Sequence, residues 1–166
     1  MTADLLVVLT WIAATPLAKF IRESDWAFPA IESVHVIGLT LAVGTIAIID
    51  FHLLGWASAK RRYAALSRAV LPWTWGAFTL AAAAGVLLFI SKPLAYWGNM
   101  DFRIKLLLLL LAGGNMAVFQ LFTVRRMPQR DDAETAPLAA RIAGAVSLLC
   151  WIAIVVFGRR IGFSLT

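Results

Sequence analysis

Hydrophobic positions in this chain run together instead of alternating with polar ones. Four long stretches carry almost no charge, and short basic or polar clusters separate them. A membrane-spanning helix needs roughly 20 mostly apolar residues. The pattern therefore predicts spans over residues 29–56, 72–90, 102–124 and 138–157. Pro29 and Pro72 are expected to open the first two, because a helix's first turn has no use for the missing N–H. Trp26 and Trp56 bracket the first span, and Trp73 and Trp75 stand at the start of the second, as interfacial aromatics do. The run Leu106–Leu111 in the third reads as lipid-facing bulk. Ahead of the spans, residues 5–21 are apolar but interrupted by Pro16 and closely followed by Arg22, Glu23 and Asp25. They predict an amphipathic helix lying along the bilayer surface. Asp4, and the lack of a basic segment before it, argue against a cleaved signal. Residues 125–137 form a polar linker, and no repeat or domain boundary is visible. The fold class is thus an all-α integral membrane four-helix bundle with an N-terminal interfacial helix, a single domain over residues 1–166.

Composition supports the same conclusion. Of 166 residues, 61% are apolar and 14% charged, against roughly 45–50% and 25% in soluble domains. A disordered chain and an ordinary soluble enzyme are both excluded. The net charge of +6 is better explained by loops facing anionic headgroups than by nucleic acid. Lys60, Arg61, Arg62 and Arg68 lie in the first connection, and Arg125, Arg126 and Arg130 in the third. The positive-inside rule places both connections in the cytoplasm, in a bacterial inner membrane, with both termini outside. Arg159 and Arg160 near the C-terminus pull the other way. A lone Cys150 excludes an internal disulfide and a cysteine-based zinc site.

Polar groups at bilayer depth are costly and mark candidate chemistry. Glu32 and His35 share one helical face, a turn apart, with Gly38 and Gly44 leaving room for a neighbouring helix or a flat cofactor. Lys105 enters the third span and, on neighbouring helices, could reach the level of Glu32 and His35. Its plainer role is to extend toward the headgroups. Asp50 is expected to cap its helix or pair with Arg61, Arg62 or Arg68. His52 reads as an interfacial side chain, and Asn115 with Gly113 and Gly114 as a close-packing patch. Met100, Met116 and Met127 form no copper-type array. A di-iron centre needs two Glu-x-x-His pairs and further carboxylates, which one chain lacks. His35 and His52 are 17 residues apart on one helix, about 25 Å, and cannot hold opposite faces of one haem.

The stretch Trp26-Ala-Phe-Pro-Ala-Ile-Glu-Ser-Val-His35-Val-Ile-Gly-Leu resembles a family of small four-span bacterial membrane proteins. That family opens with Phe-Pro-x-x-Glu-x-x-His-x-x-Gly-Leu. Its later motifs resemble Asp50-Phe-His52-Leu-Leu-Gly55, with His52 in place of an arginine, and Phe102-Arg-Ile-Lys105-Leu…Asn115. The resemblance runs from about Pro16 to Phe119 and carries no activity with it. More distantly, a histidine opening one span and a Lys-Leu opening another are similar to HemJ-type protoporphyrinogen oxidases and CopD-like copper proteins. The HemJ resemblance implies haem b, with His35 as axial ligand and Lys105 at or near the haem. Glu32 before the histidine, and Asn115 where those relatives tend to carry histidine, are departures.

Three functions follow as expectations. The first is a haem b-binding electron-transfer or redox protein, with cofactor-binding residues His35 and Lys105 and a sixth ligand from Lys105 or another subunit. The second is a copper-handling protein with His35 and Glu32 as metal ligands. The third is a cofactor-free accessory subunit. Beyond the lipid bilayer, the expected partners are a second copy of the chain or a membrane redox partner.

Overall fold

A computed structural model describes residues 3–56, 63–123 and 137–164. All regular structure among them is helical: α1 Ala3–Ala14, α2 Pro16–Glu23, α3 Ala27–Leu53, α4 Tyr63–Ser91, α5 Pro93–Gly98, α6 Met100–Val118 and α7 Leu138–Ser164. Four of them, α3, α4, α6 with its C-terminal extension, and α7, are long and apolar enough to cross a membrane. Only helices and closed barrels satisfy every backbone group in lipid. The protein is a multi-pass α-helical membrane protein built as a bundle.

The differences from the expected elements have local causes. The N-terminal segment is two helices, not one, bent by 63° where Thr15 caps α2 and Pro16 opens it. Apolar α1 buries only Leu9, leaving Leu6, Val7, Val8 and Trp11 exposed. The amphipathic character belongs to α2, which buries Ala18 and Ile21 and donates from Arg22 to the Ser91 carbonyl, 3.1 Å. Pro72 does not open the second span; it lies inside α4, which begins at Tyr63. Short α5 was not expected, and α6 runs on into a π-helical turn, Phe119–Thr123.

Small residues set the packing. Buried Ala42, Ala81, Ala84, Ala112, Ala140 and Ala143 let the backbones come close, the usual solution where lipid offers no hydrophobic drive between helices. Helix α3 packs along α4 and also meets α7, which packs in turn on α6. At Gly38 a Cβ would lie 2.9 Å from the Ala81 backbone nitrogen. Thr74 donates to Thr45 across the same seam, 2.9 Å. Phe78 meets Trp151 edge-on, joining α4 to α7. Phe89 stacks on Phe102, joining α4 to α6. Within the Leu106–Leu111 run, Leu106, Leu107, Leu110 and Leu111 face outward, while Leu108 and Leu109 pack on the core. Helix α1 lies against α5, and Ser164 at the end of α7 is bonded by Asn99, 2.7 Å. Both ends of the described chain therefore sit at the α5 end of the bundle.

Candidate functional site

His35 lies on the α3 seam with α4, half-buried. Its Nδ1 is 2.7 Å from the Ala81 carbonyl. A carbonyl can only accept, so Nδ1 carries the proton and donates it. That fixes the tautomer and leaves the Nε2 lone pair free, with no hydrogen-bond partner among the described residues. Gly85 lies beside the ring: a Cβ there would stand 3.0 Å from the imidazole Cε1. A histidine held by one nitrogen through a backbone carbonyl, with the other presented, is the arrangement of a metal-ligating imidazole.

Among the described residues, the charged groups within electrostatic reach of this ring are Lys105 and Glu32. Lys105 does not extend outward. It turns in from α6 onto α7, with Nζ 3.4 Å from where a Cβ of Gly158 would be, and it makes no ion pair among the described residues. Glu32 is exposed. It influences Tyr96 on α5, whose phenol is held above its ordinary value of 10.0 first by burial and then by this carboxylate. Phe89, Tyr96 and Phe102 form a ring cluster at this end, with centroids 5.4–6.4 Å apart. No sequence signal pairs aromatics from three helices, so this cluster emerges only in the fold. An open apolar groove of about 310 Å³ lies nearby on the α3–α4 seam, between Ala30, Ile31, Val34, Leu80, Ala84 and Leu87. His35 is not among its walls.

The fit to the two metal expectations differs. The imidazole suits a single axial ligation. For copper, no group of three or more His, Cys, Asp or Glu side chains comes together among the described residues. Glu32 and His35 are thus joined by no third such ligand there.

Several polar residues end up elsewhere than expected. Asp50 is 3% exposed and makes no pair with Arg68, whose Nε bonds the Ala64 carbonyl instead. Arg61 and Arg62, and the basic residues of the third connection, lie outside the described residues. Asp50 meets Ser147 of α7, and its Oδ2 has no hydrogen-bond partner among the described residues. Asn115 does join helices, donating to the Ala143 carbonyl at 2.9 Å. Gly113 and Gly114 do not help it; each faces open space, as does Gly44. His52 is half-buried, and its Nδ1 has no hydrogen-bond partner among the described residues. The close-approach glycines are Gly38, Gly85 and Gly144.

No protein-family model, curated protein or solved structure matches the chain.

Proposed function

We propose that the protein is a haem b-binding membrane protein that moves electrons, with His35 as an axial ligand. The observation that supports it is the imidazole itself: Nδ1 donates to the Ala81 carbonyl, Nε2 is free, and Gly85 leaves the ring uncrowded. A bound haem supplies one-electron exchange at its iron, at a potential set by axial ligands, burial and nearby charge. This chain's residues do the rest. Ala81 orients the imidazole and strengthens Nε2 as a donor. Lys105, the cation whose charge acts on the ring, would be the residue to meet a propionate or the open coordination position. A second copy of the chain or a membrane redox partner is the other source of a sixth ligand. The membrane is the bacterial cytoplasmic membrane, with the first and third connections inside and His35 in the outer half.

The test is the spectrum of protein purified from haem-replete membranes. Wild type is expected to show a Soret band, α/β bands on reduction, and haem in stoichiometric amount. His35→Ala is expected to insert normally and keep less than roughly a tenth of that haem, the effect of losing a bond worth more than about 1.4 kcal/mol. A colourless wild-type protein, or a His35→Ala protein with its full haem, overturns the proposal. Copper that tracks Glu32→Gln in stoichiometry points to the metal-handling alternative. Absence of both metals leaves the accessory role.

A further inference from the structure

The second polar centre lies at the other end of the bundle, where all four spans converge. A cavity of about 40 Å³ is walled there by Asp50 of α3, Leu71 of α4, Asn115 and Gln120 on the α6 side, and Ser147 of α7. A water needs roughly 10–15 Å³ of such space, so the cavity has room for a small ion together with a water. Its donors are hard oxygens. Asp50 contributes Oδ2, almost wholly buried and without a hydrogen-bond partner among the described residues. Ser147 contributes a hydroxyl already engaged with the carboxylate. The Asn115 amide nitrogen donates to the Ala143 carbonyl, which leaves the side-chain carbonyl oxygen as the group Asn115 can offer a cation.

Two features of the backbone serve this cavity. Gln120 stands in the π-helical turn Phe119–Thr123, and single π turns recur at functional sites because they shift the helical hydrogen-bond ladder. Gly144 brings α7 onto Asp50: a Cβ there would lie 3.1 Å from the Asp50 carbonyl oxygen and 3.0 Å from Leu53 Cβ. The charge balance is then unequal. Among the described residues that wall the cavity, Asp50 is the one ionisable side chain. Tyr63 of α4, paired with Gln120, is the titratable group of another helix that Asp50 influences, and His52 is the neighbour on its own helix. A carboxylate taken out of water with no counter-charge is strongly disfavoured. One positive charge brings the site to neutrality. A divalent ion would leave it charged and would demand more carboxylates.

We propose that this cavity is a binding site for one small monovalent cation, of sodium's kind, held by Asp50, Ser147 and Asn115 at the centre of the bundle. The site is separate from His35 and does not depend on the haem proposal. Cation binding ties α3, α6 and α7 together, so its presence stabilises the assembled bundle in proportion to the logarithm of ion concentration above Kd.

The experiment uses the full chain in detergent, with choline chloride keeping ionic strength constant and sodium chloride as the probe. Equilibrium dialysis with radioactive sodium measures binding, and tryptophan fluorescence follows thermal unfolding. Wild type is expected to bind one sodium per chain saturably, with a melting temperature that rises with sodium. Asp50→Asn is expected to bind none and to melt independently of sodium. Ser147→Ala keeps the carboxylate and is expected to weaken sodium binding roughly 10- to 100-fold. It carries the test if Asp50→Asn does not fold. No bound sodium in wild type, equal binding in Asp50→Asn, or unchanged affinity in folded Ser147→Ala each overturns the proposal. So does stabilisation by acid with no response to sodium, which would mean that a proton neutralises Asp50.

Discussion

Two side chains with similar prospects in the sequence have opposite surroundings in the fold. His35 and Asp50 both sit on α3 among apolar residues. His35 finds a backbone carbonyl on α4 and keeps one nitrogen free, whereas Asp50 is shut between helices with one oxygen unanswered. The difference lies in what stands opposite: at His35 a glycine of α4, at Asp50 a glycine and a serine of α7. Tyr96 provides a test at the same scale, outside the spans. Burial, and next the Glu32 carboxylate, hold its phenol above 10.0. In the unfolded chain the phenol ionises first. Its contribution is therefore complete below pH 10.0 and is lost as pH climbs through the raised folded value. Melting between roughly pH 9 and pH 11.5 is expected to fall less steeply in Tyr96→Phe than in wild type. Glu32→Gln is expected to lie between them, because it removes only the smaller cause. An identical alkaline decline in Tyr96→Phe and wild type would show that Tyr96 has no part in it.

Among the elements, prolines act differently by position. Pro16 follows a capping threonine and starts a new helix at a bend. Pro72 interrupts nothing. A proline in a helix interior costs about 3 kcal/mol, yet α4 continues through it to Tyr63, and the turns before it bury Leu66 and Ser67. Tertiary contact, together with the tolerance of membrane helices for proline, outweighs the local penalty. Glycines divide in the same way. Gly38→Ala forces a Cβ to within 2.9 Å of backbone on α4, and is expected to destabilise the bundle by about 1–3 kcal/mol. Gly44→Ala meets open space and is expected to be neutral or to stabilise by up to about 1 kcal/mol. Unfolding in graded denaturing detergent distinguishes them. Equal effects would mean that the α3–α4 approach does not depend on Gly38.

At the scale of the molecule, the two polar centres lie toward opposite ends of one bundle. His35 is near the start of α3, at the end that carries α5, and Asp50 is near its finish. The α5 end also collects charge: Arg160 pairs with Asp101 at 3.3 Å and Lys92 stands over the Phe28 ring. The proposed orientation rests on the sequence positions of Lys60, Arg61, Arg62, Arg68, Arg125, Arg126 and Arg130. In a Cys150→Ser background, intact cells are expected to protect Ala65→Cys from a membrane-impermeant thiol reagent and to expose Ala95→Cys. Both side chains are exposed in the bundle, so protection reports the side of the membrane. The reverse pattern inverts the protein and puts His35 in the inner half.

The four spans were legible in the chain because the cost of leaving backbone and charge in lipid acts on each stretch by itself. Length and apolarity are local properties, and the positions 29–56, 102–124 and 138–157 lie close to α3, extended α6 and α7. That Glu32 and His35 stand a turn apart on one helix was legible for the same reason, since helical spacing is local. What stands opposite a residue is not local. That Ala81 orients His35, that Lys105 turns inward toward Gly158, and that Asp50 faces Ser147 and Asn115 depend on which helices pack and in what register. Register here is set by small residues meeting across seams. A chain with 11 glycines offers many such meetings, and only close approach in three dimensions separates Gly38, Gly85 and Gly144 from Gly44, Gly113 and Gly114.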